Sequence, residues 1–555
     1  FFLFVSIVTT ADCSSNPRMM HPEHRTLLPS TSPAGNVPPV QDDSLFGSCL
    51  RCIWKRDPLP TEHEAAPTST ESTRKRMSWT QKIQFCVSLS LLGGCIALCT
   101  AGILAKQTPV AAVTNPAIAL VLMWVLILWL GILEGGQGCL VGLQPVNANE
   151  YQLSHPHTYA STQLTHKGDN LNRFIVGRQF LVVLVVFMLN MACTVVEDFD
   201  VPGIPHALMS SMVASGLAVM LITVMLGQLA AEVNATNYML DFANSHIVRL
   251  TTVLCLAIES SGLLHSVYLV QCFFSSESSN ESMVMTMRQQ VWYWARVFVS
   301  ASVLSFALVV TCNALWHGET TMYPGLTTMA SFAFFFGLVC FLGLLEGIQI
   351  AAFAVVKLPS HIVASNPAAD ANCQMVFSGR NFKAVLIGRQ ICVTTSMFLL
   401  ARITTTDVEP TDLIDTSTTM STVLGVPTGI QDFFNTGLPG AFITTIVASL
   451  WWRILASSFP IAFMGNTVVH WTIRLCLCLE ASGVFSAAWL LAEGIRWMLG
   501  FKPDDFYLSN DLELGKSGSS LNTISSSDTE DNTSVEYETN SSEEFGTLSD
   551  PSLSV

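Results

Sequence analysis

The residues best equipped for chemistry come in two matched sets. Glu134-Gly135-Gly136-Gln137 is followed by Gly177-Arg178-Gln179, and Glu346-Gly347-Ile348-Gln349 by Gly388-Arg389-Gln390. Both sets lie inside apolar sequence, where inserting each Glu or Arg costs roughly 2.5–3.5 kcal/mol. Four such residues approach the whole stability of an ordinary fold, about 5–15 kcal/mol, so their recurrence marks a duplicated site. Glu and Gln three positions apart share one helix face, and the glycines between them weaken the helix and let backbone approach a ligand. In Gly-Arg-Gln, Arg contributes a planar fork of donors and Gln both a donor and an acceptor. Each half therefore offers an anion, a cation and two amides, which suits a small, neutral, hydroxyl-rich solute. The same residues would also serve as structural ion pairs, Glu134 with Arg178 and Glu346 with Arg389, pinning adjacent helices.

A second pair of acids recurs. Val248 to Gly262 aligns without a gap on Val469 to Gly483, placing Glu259 on Glu480 and Ser261 on Ser482. Carboxylate, hydroxyl and carbonyl oxygens in these segments would hold a coupling cation at Glu259, Ser261, Glu480 and Ser482. The plainer alternative is a protonated or Arg-paired Glu at a small-residue helix contact, with Arg249 or Arg474 as partner. The chain carries no HExxH, GxSxG, Walker or GxGxxG pattern, so nothing points to an enzyme, a resident metal or nucleotide use.

The elements that must position these groups are membrane helices. Half of the residues are hydrophobic, 12% are charged and the mean hydropathy is +0.46, a combination that indicates a polytopic membrane protein. The net charge of -15 is concentrated after Lys502, where twelve Asp and Glu face Lys502 and Lys516. No basic face suggests nucleic acid. Sixteen Cys lie mostly in apolar runs and read as small core residues. Apolar stretches of about 20 residues, the length that spans a bilayer, fall near 83–105, 117–143, 174–195, 208–231, 247–273, 291–315, 328–356, 382–402, 438–464 and 471–499.

The expected fold is thus an all-α polytopic membrane protein of about ten transmembrane helices in a 5+5 repeat. Its parts are a disordered cytoplasmic tail over 1–80, a first repeat over 81–273, a connecting loop over 274–290, a second repeat over 291–500 and a disordered cytoplasmic tail over 501–555. Five crossings are an odd number, so the second half must enter from the opposite face, as in inverted-repeat transporters. Arg74-Lys75-Arg76 before the first span and the sequon Asn280-Glu281-Ser282 in an external loop set the orientation. Lys357, Arg380 and Lys383 in the seventh loop run against it. Met19 or Met20 is the expected start, Cys49 and Cys52 an incidental pair or a palmitoylation site, and the acid-flanked serines at 525–527 a kinase target.

The duplicated Glu-Gly-x-Gln and Gly-Arg-Gln motifs, set among ten spans between flexible termini, resemble the silicic acid transporters of diatoms and related algae over about residues 80–500. The resemblance implies that Glu134, Gly135, Gln137, Gly177, Arg178, Gln179, Glu346, Gly347, Gln349, Gly388, Arg389 and Gln390 form the path of orthosilicic acid. It also implies sodium as the co-transported ion, residence in the plasma membrane or a silica-depositing vesicle, and oligomerisation through a C-terminal coiled coil. No sustained heptads follow Lys502. Orthosilicic acid is tetrahedral, uncharged near neutrality and carries four hydroxyls, so it matches the donor and acceptor inventory. A passive channel for silicic acid or small polyols and a transporter-derived silicon sensor are the other readings.

Overall fold

A computed structural model of the protein describes residues 79–194, 212, 216–274, 286–320, 327–379, 381–406, 427–504 and 506–507. The expected N-terminal tail before residue 79, the sequon and the acidic serine stretch lie outside the described residues. The described chain is helical, with one isolated antiparallel bridge between Thr320 and Thr406. In chain order the main helices are α1 (Trp79–Leu104), α2 (Pro116–Gly142), α3 (Pro156–Thr165), α4 (Asn170–Cys193), α5 (Leu217–Asn237), α6 (His246–Ser260) and α7 (Val267–Phe274). They are followed by α8 (Met287–His317), α9 (Thr328–Val356), α10 (Pro367–Phe377), α11 (Asn381–Thr404), α12 (Leu438–Ser458), α13 (Thr467–Ala481) and α14 (Ala487–Leu499). The second seven repeat the first in order and kind. Both α5 and α12 contain a π-helical stretch, Thr223–Leu229 and Thr444–Leu450.

Eight helices among the described residues, α1, α2, α4, α5, α8, α9, α11 and α12, are long and apolar enough to cross a membrane. The expected continuous spans 247–273 and 471–499 are instead each broken in two. Ser-Gly is the cause. Gly262 (φ 85°) and Gly483 (φ 71°) take the left-handed conformation just past Ser261 and Ser482, which ends a helix and suits glycine alone. The 15-residue α6 and α13 are therefore about 22 Å long, short of the roughly 30 Å hydrocarbon core.

The long helices fall into two layers. In α4, α5, α11 and α12 the most apolar window is 72, 78, 72 and 83% buried, against 33% in α1 and 39% in α2, α8 and α9. The outer helices turn Val121, Leu128, Trp292, Phe298 and Phe336 outward, as lipid-facing surfaces do. The inner four carry most of the polar groups, with α2 and α9 packed beside them.

The halves are also interlocked at the helix breaks. Ser88 on α1 receives the Ala487 amide at 2.9 Å and donates to the Val484 carbonyl, both on the break in the second half. Reciprocally, Ser300 on α8 receives the Ser266 amide at 3.0 Å and donates to the Leu263 carbonyl at 2.6 Å in the first half. Both serines are fully buried, and they satisfy backbone groups that the broken helices would leave unpaired.

At the other end, the segment expected to begin a free tail at 501 is docked as far as Tyr507. Asp504 receives the amides of Met239 and Leu240 at 3.0 and 2.9 Å, and Asp241 receives the Lys502 amide at 2.7 Å and the Tyr507 hydroxyl at 3.2 Å.

Helix α4 crosses α6, and α11 crosses α13, at Gly177 and Gly388. A Cβ there would stand 2.0 Å from the carbonyl oxygens of Cys255 and Cys476, backbone atoms that no rotamer change can move. Gly388→Ala is expected to lower stability by about 1–3 kcal/mol, seen as a fall in the unfolding temperature of the detergent-purified protein. Gly93→Ala, which meets open space, is expected to hold or slightly raise it, as Ala is the better helix former.

Candidate functional site

The two motif sets meet at the centre of the helix bundle. Glu134 projects from α2, Arg178 and Gln179 from α4, Glu346 from α9, and Arg389 and Gln390 from α11. Arg178 Nη1 donates to Glu134 Oε2 at 2.7 Å and its Nη2 to Gln179 Oε1 at 3.1 Å. With its oxygen thus occupied, Gln179 turns its amide NH2 across the bundle to Glu346 Oε1 at 3.3 Å. The second set mirrors this: Arg389 Nη2 donates to Gln390 Oε1 at 2.8 Å, and Gln390 Nε2 crosses to Glu134 Oε1 at 3.3 Å. Each Gln accepts from its own Arg and donates to the other half's Glu.

Three further residues join that sequence reasoning did not single out. Gln228, in the π-helical stretch of α5, donates to Glu134 Oε1 at 3.4 Å and receives the Thr394 hydroxyl of α11. Arg453 of α12 places Nε and Nη2 at 3.2 and 3.1 Å from Glu346 Oε2. Arg389 Nη1 reaches the same oxygen only at 3.6 Å. A lone Arg inside the apolar stretch 438–464 was a legible signal for Arg453. Nothing in the local sequence marks a π-helical stretch, which adds a residue to a turn and so changes which side chains face inward.

The other motif residues have different surroundings. Gly177 and Gly388 face the neighbouring helix backbone, and a Cβ on Gly135 or Gly347 would run into the rings of Phe242 or Phe463. These glycines let helices and aromatic rings approach closely. Gln137 and Gln349 are partly exposed and make no hydrogen bond among the described residues.

Glu259 and Glu480 are not equivalent in space. Buried Glu259 pairs with Arg173 Nε at 2.6 Å; Arg249 and Arg474 are not its partners, and Arg474 lies over the Trp471 ring at 5.3 Å. Ala384 occupies the position in α11 that Arg173 holds in α4. Glu480 has no ion pair among the described residues and lines a cavity of about 40 Å³ with Leu229, Val233, Ile387 and Ser486. Ser261 and Ser482 donate to their own turns, at Ile258 and Leu479.

The central cluster gives each carboxylate a guanidinium partner in a medium where an unpaired ion is costly, yet leaves donors over. Arg178 Nε, Arg389 Nε and Arg389 Nη1 are buried without a hydrogen-bond partner among the described residues. Their parent residues are 3 and 6% exposed. Buried donors are nearly always satisfied in folded proteins, so these three stand out as open hydrogen-bonding positions.

A family model described as silicon transporter matches residues 76–552 and so takes in both motif sets. No curated protein and no solved structure matches the chain.

The Arg173 contrast is measurable as stability. Arg173→Ala leaves Glu259 buried without its cation and is expected to cost about 1.5–3 kcal/mol in thermal unfolding of the purified protein. Glu480→Gln, which breaks no ion pair, is expected to stay within about 0.5 kcal/mol of the parent.

Proposed function

We infer that this chain, which belongs to the silicon transporter family, carries orthosilicic acid by sodium-coupled alternating access, with the substrate held where the two motif sets meet. The observation that carries this reading is the set of unpaired, buried guanidinium donors on Arg178 and Arg389 beside two carboxylates and two amides. Silicic acid hydroxyl oxygens accept from Arg Nε–H and Nη–H, while its hydroxyl protons go to Glu134 and Glu346. The substrate is neutral and both carboxylates already have guanidinium partners, so binding needs no change of protonation.

The strengths of the contacts support a carrier over a pore. Within each half the Arg contacts include bonds of 2.7 and 2.8 Å, whereas the two Gln-to-Glu bonds that cross between the halves are 3.3 Å. Substrate hydroxyls can replace the weaker, cross-half amide bonds while each half keeps its own shape, which is what rocking of one half against the other requires. A passive channel would need an open path through this cluster, where Glu346 is only 3% exposed.

In this reading the halves are inverted repeats, each broken α6–α7 or α13–α14 pair counting as a fifth crossing, and the protein resides in the plasma membrane. Sodium belongs at Glu480, whose carboxylate is free of a competing cation and faces a cavity, and not at Glu259, which Arg173 neutralises.

Purified protein in liposomes, given labelled silicic or germanic acid with and without an inward sodium gradient, tests the function. Gradient-driven accumulation is expected. Flux indifferent to sodium would favour the channel, and binding without flux the sensor. Arg178→Lys and Arg389→Lys replace a planar fork by a point donor and are expected to raise the apparent KM by about 10- to 150-fold; near-normal uptake in both removes them from the substrate site. Glu480→Gln is expected to raise the sodium concentration for half-maximal uptake, and Glu259→Gln to leave it unchanged.

Topology has its own test. Asn149 and Ser365 are exposed in the loops after α2 and α9. Cysteines placed there in a Cys-depleted background are expected to react with an impermeant reagent from opposite sides of the membrane. Labelling of both from one side would end the inverted-repeat reading.

A further inference from the structure

The motif sets match residue for residue, but the third charged position does not. Glu232 of α5 stands three residues beyond the first π-helical stretch, and Arg453 of α12 three beyond the second. Glu232 interacts electrostatically with Glu134, Arg389 and Arg178, so it belongs to the same central cluster. The first half therefore has two acids, Glu134 and Glu232, with one guanidinium, Arg178. The second has one acid, Glu346, with two guanidiniums, Arg389 and Arg453. The two halves are thus unbalanced in opposite senses, acids outnumbering guanidiniums in the first and guanidiniums outnumbering acids in the second.

This imbalance sets what each motif Arg is free to do. Arg178 has no rival for Glu134 and closes on it at 2.7 Å. Arg389 has a rival. Arg453 occupies Glu346 Oε2 with two donors at 3.2 and 3.1 Å, and Arg389 stands off from that oxygen at 3.6 Å. The consequence is visible in the unsatisfied donors: Arg178 keeps only Nε unused, whereas Arg389 keeps both Nε and Nη1. Nε and Nη1 lie on either side of Nη2, which Gln390 holds, so Arg389 can serve two separate hydroxyl oxygens where Arg178 can serve one.

We propose that Arg453 is a positioning residue that neutralises Glu346 and thereby holds the Arg389 guanidinium free to grip silicic acid, making the second half the principal binding half. The proposal rests on the motif clusters being the substrate site and assigns unequal tasks to their two guanidiniums. Glu232 takes up none of Arg389's donors, since its carboxylate makes no hydrogen bond among the described residues.

Silicic acid uptake by reconstituted protein, with apparent KM and maximal rate measured separately and normalised to folded transporter, tests this. In Arg453→Gln, Glu346 loses its cation and recaptures Arg389, so KM is expected to rise about tenfold or more with the maximal rate changed much less. Arg453→Lys keeps a cation on Glu346 and is expected to bring KM back to within about threefold of the parent. The paired variant Glu346→Gln/Arg453→Gln removes both buried charges together, which protects folding if the single variant fails. With no acid left to recapture Arg389, its KM is expected to match that of Glu346→Gln alone, the loss of one substrate acceptor being common to both.

An unchanged KM in Arg453→Gln, with only the amount of folded protein reduced, would show a purely structural role and overturn the proposal. A rise in the paired variant well beyond that of Glu346→Gln alone would overturn it too. If Arg389→Lys itself leaves KM unchanged, the substrate-site reading fails. If Arg389→Lys raises KM and Arg453→Gln does not, only the positioning role falls.

Discussion

Two glutamine side chains hold the organisation of the membrane part together. Gln179 and Gln390 each accept a hydrogen bond from the arginine next to them and donate one to the glutamate of the opposite half. Because an amide carries donor and acceptor at fixed positions, satisfying one end aims the other. The arginine thereby orients the glutamine, and the glutamine ties the halves. In a low-dielectric interior this matters more than in water, since an unmatched charge or amide there is expensive.

Much of the surrounding packing brings these groups within reach. Gly177 and Gly388 let α4 and α11 lie against the backbone of α6 and α13, so the motif helices sit deep in the bundle. The π-helical stretch of α5 turns Gln228 toward Glu134. Ser88 and Ser300 cap the broken helices of the half to which they do not belong, so each half lacks part of its hydrogen bonding without the other.

The departures from two-fold matching are as informative as the match. Arg173 faces Glu259 where Ala384 leaves Glu480 open, and Arg453 stands where the first half has Glu232. A duplicated scaffold with unequal charges can divide labour, one side anchoring and the other binding.

By itself the sequence determined the membrane class, the eight long apolar helices and the four motif charges, because hydropathy and motif repetition are local properties that survive in one dimension. It also contained, unread, the Ser-Gly steps that break 247–273 and 471–499; a window average over some twenty residues smooths over a single glycine. Arg453 was visible as a charge in an apolar run, but its partner was not. Which guanidinium wins Glu346 is a competition between groups on α11 and α12 for one oxygen, decided by a difference between 3.1 and 3.6 Å. The same holds for Glu259, whose partner proved to be Arg173 and not the nearby Arg249. Charge pairing depends steeply on distance and burial, and only the tertiary structure sets those across helices far apart in the chain.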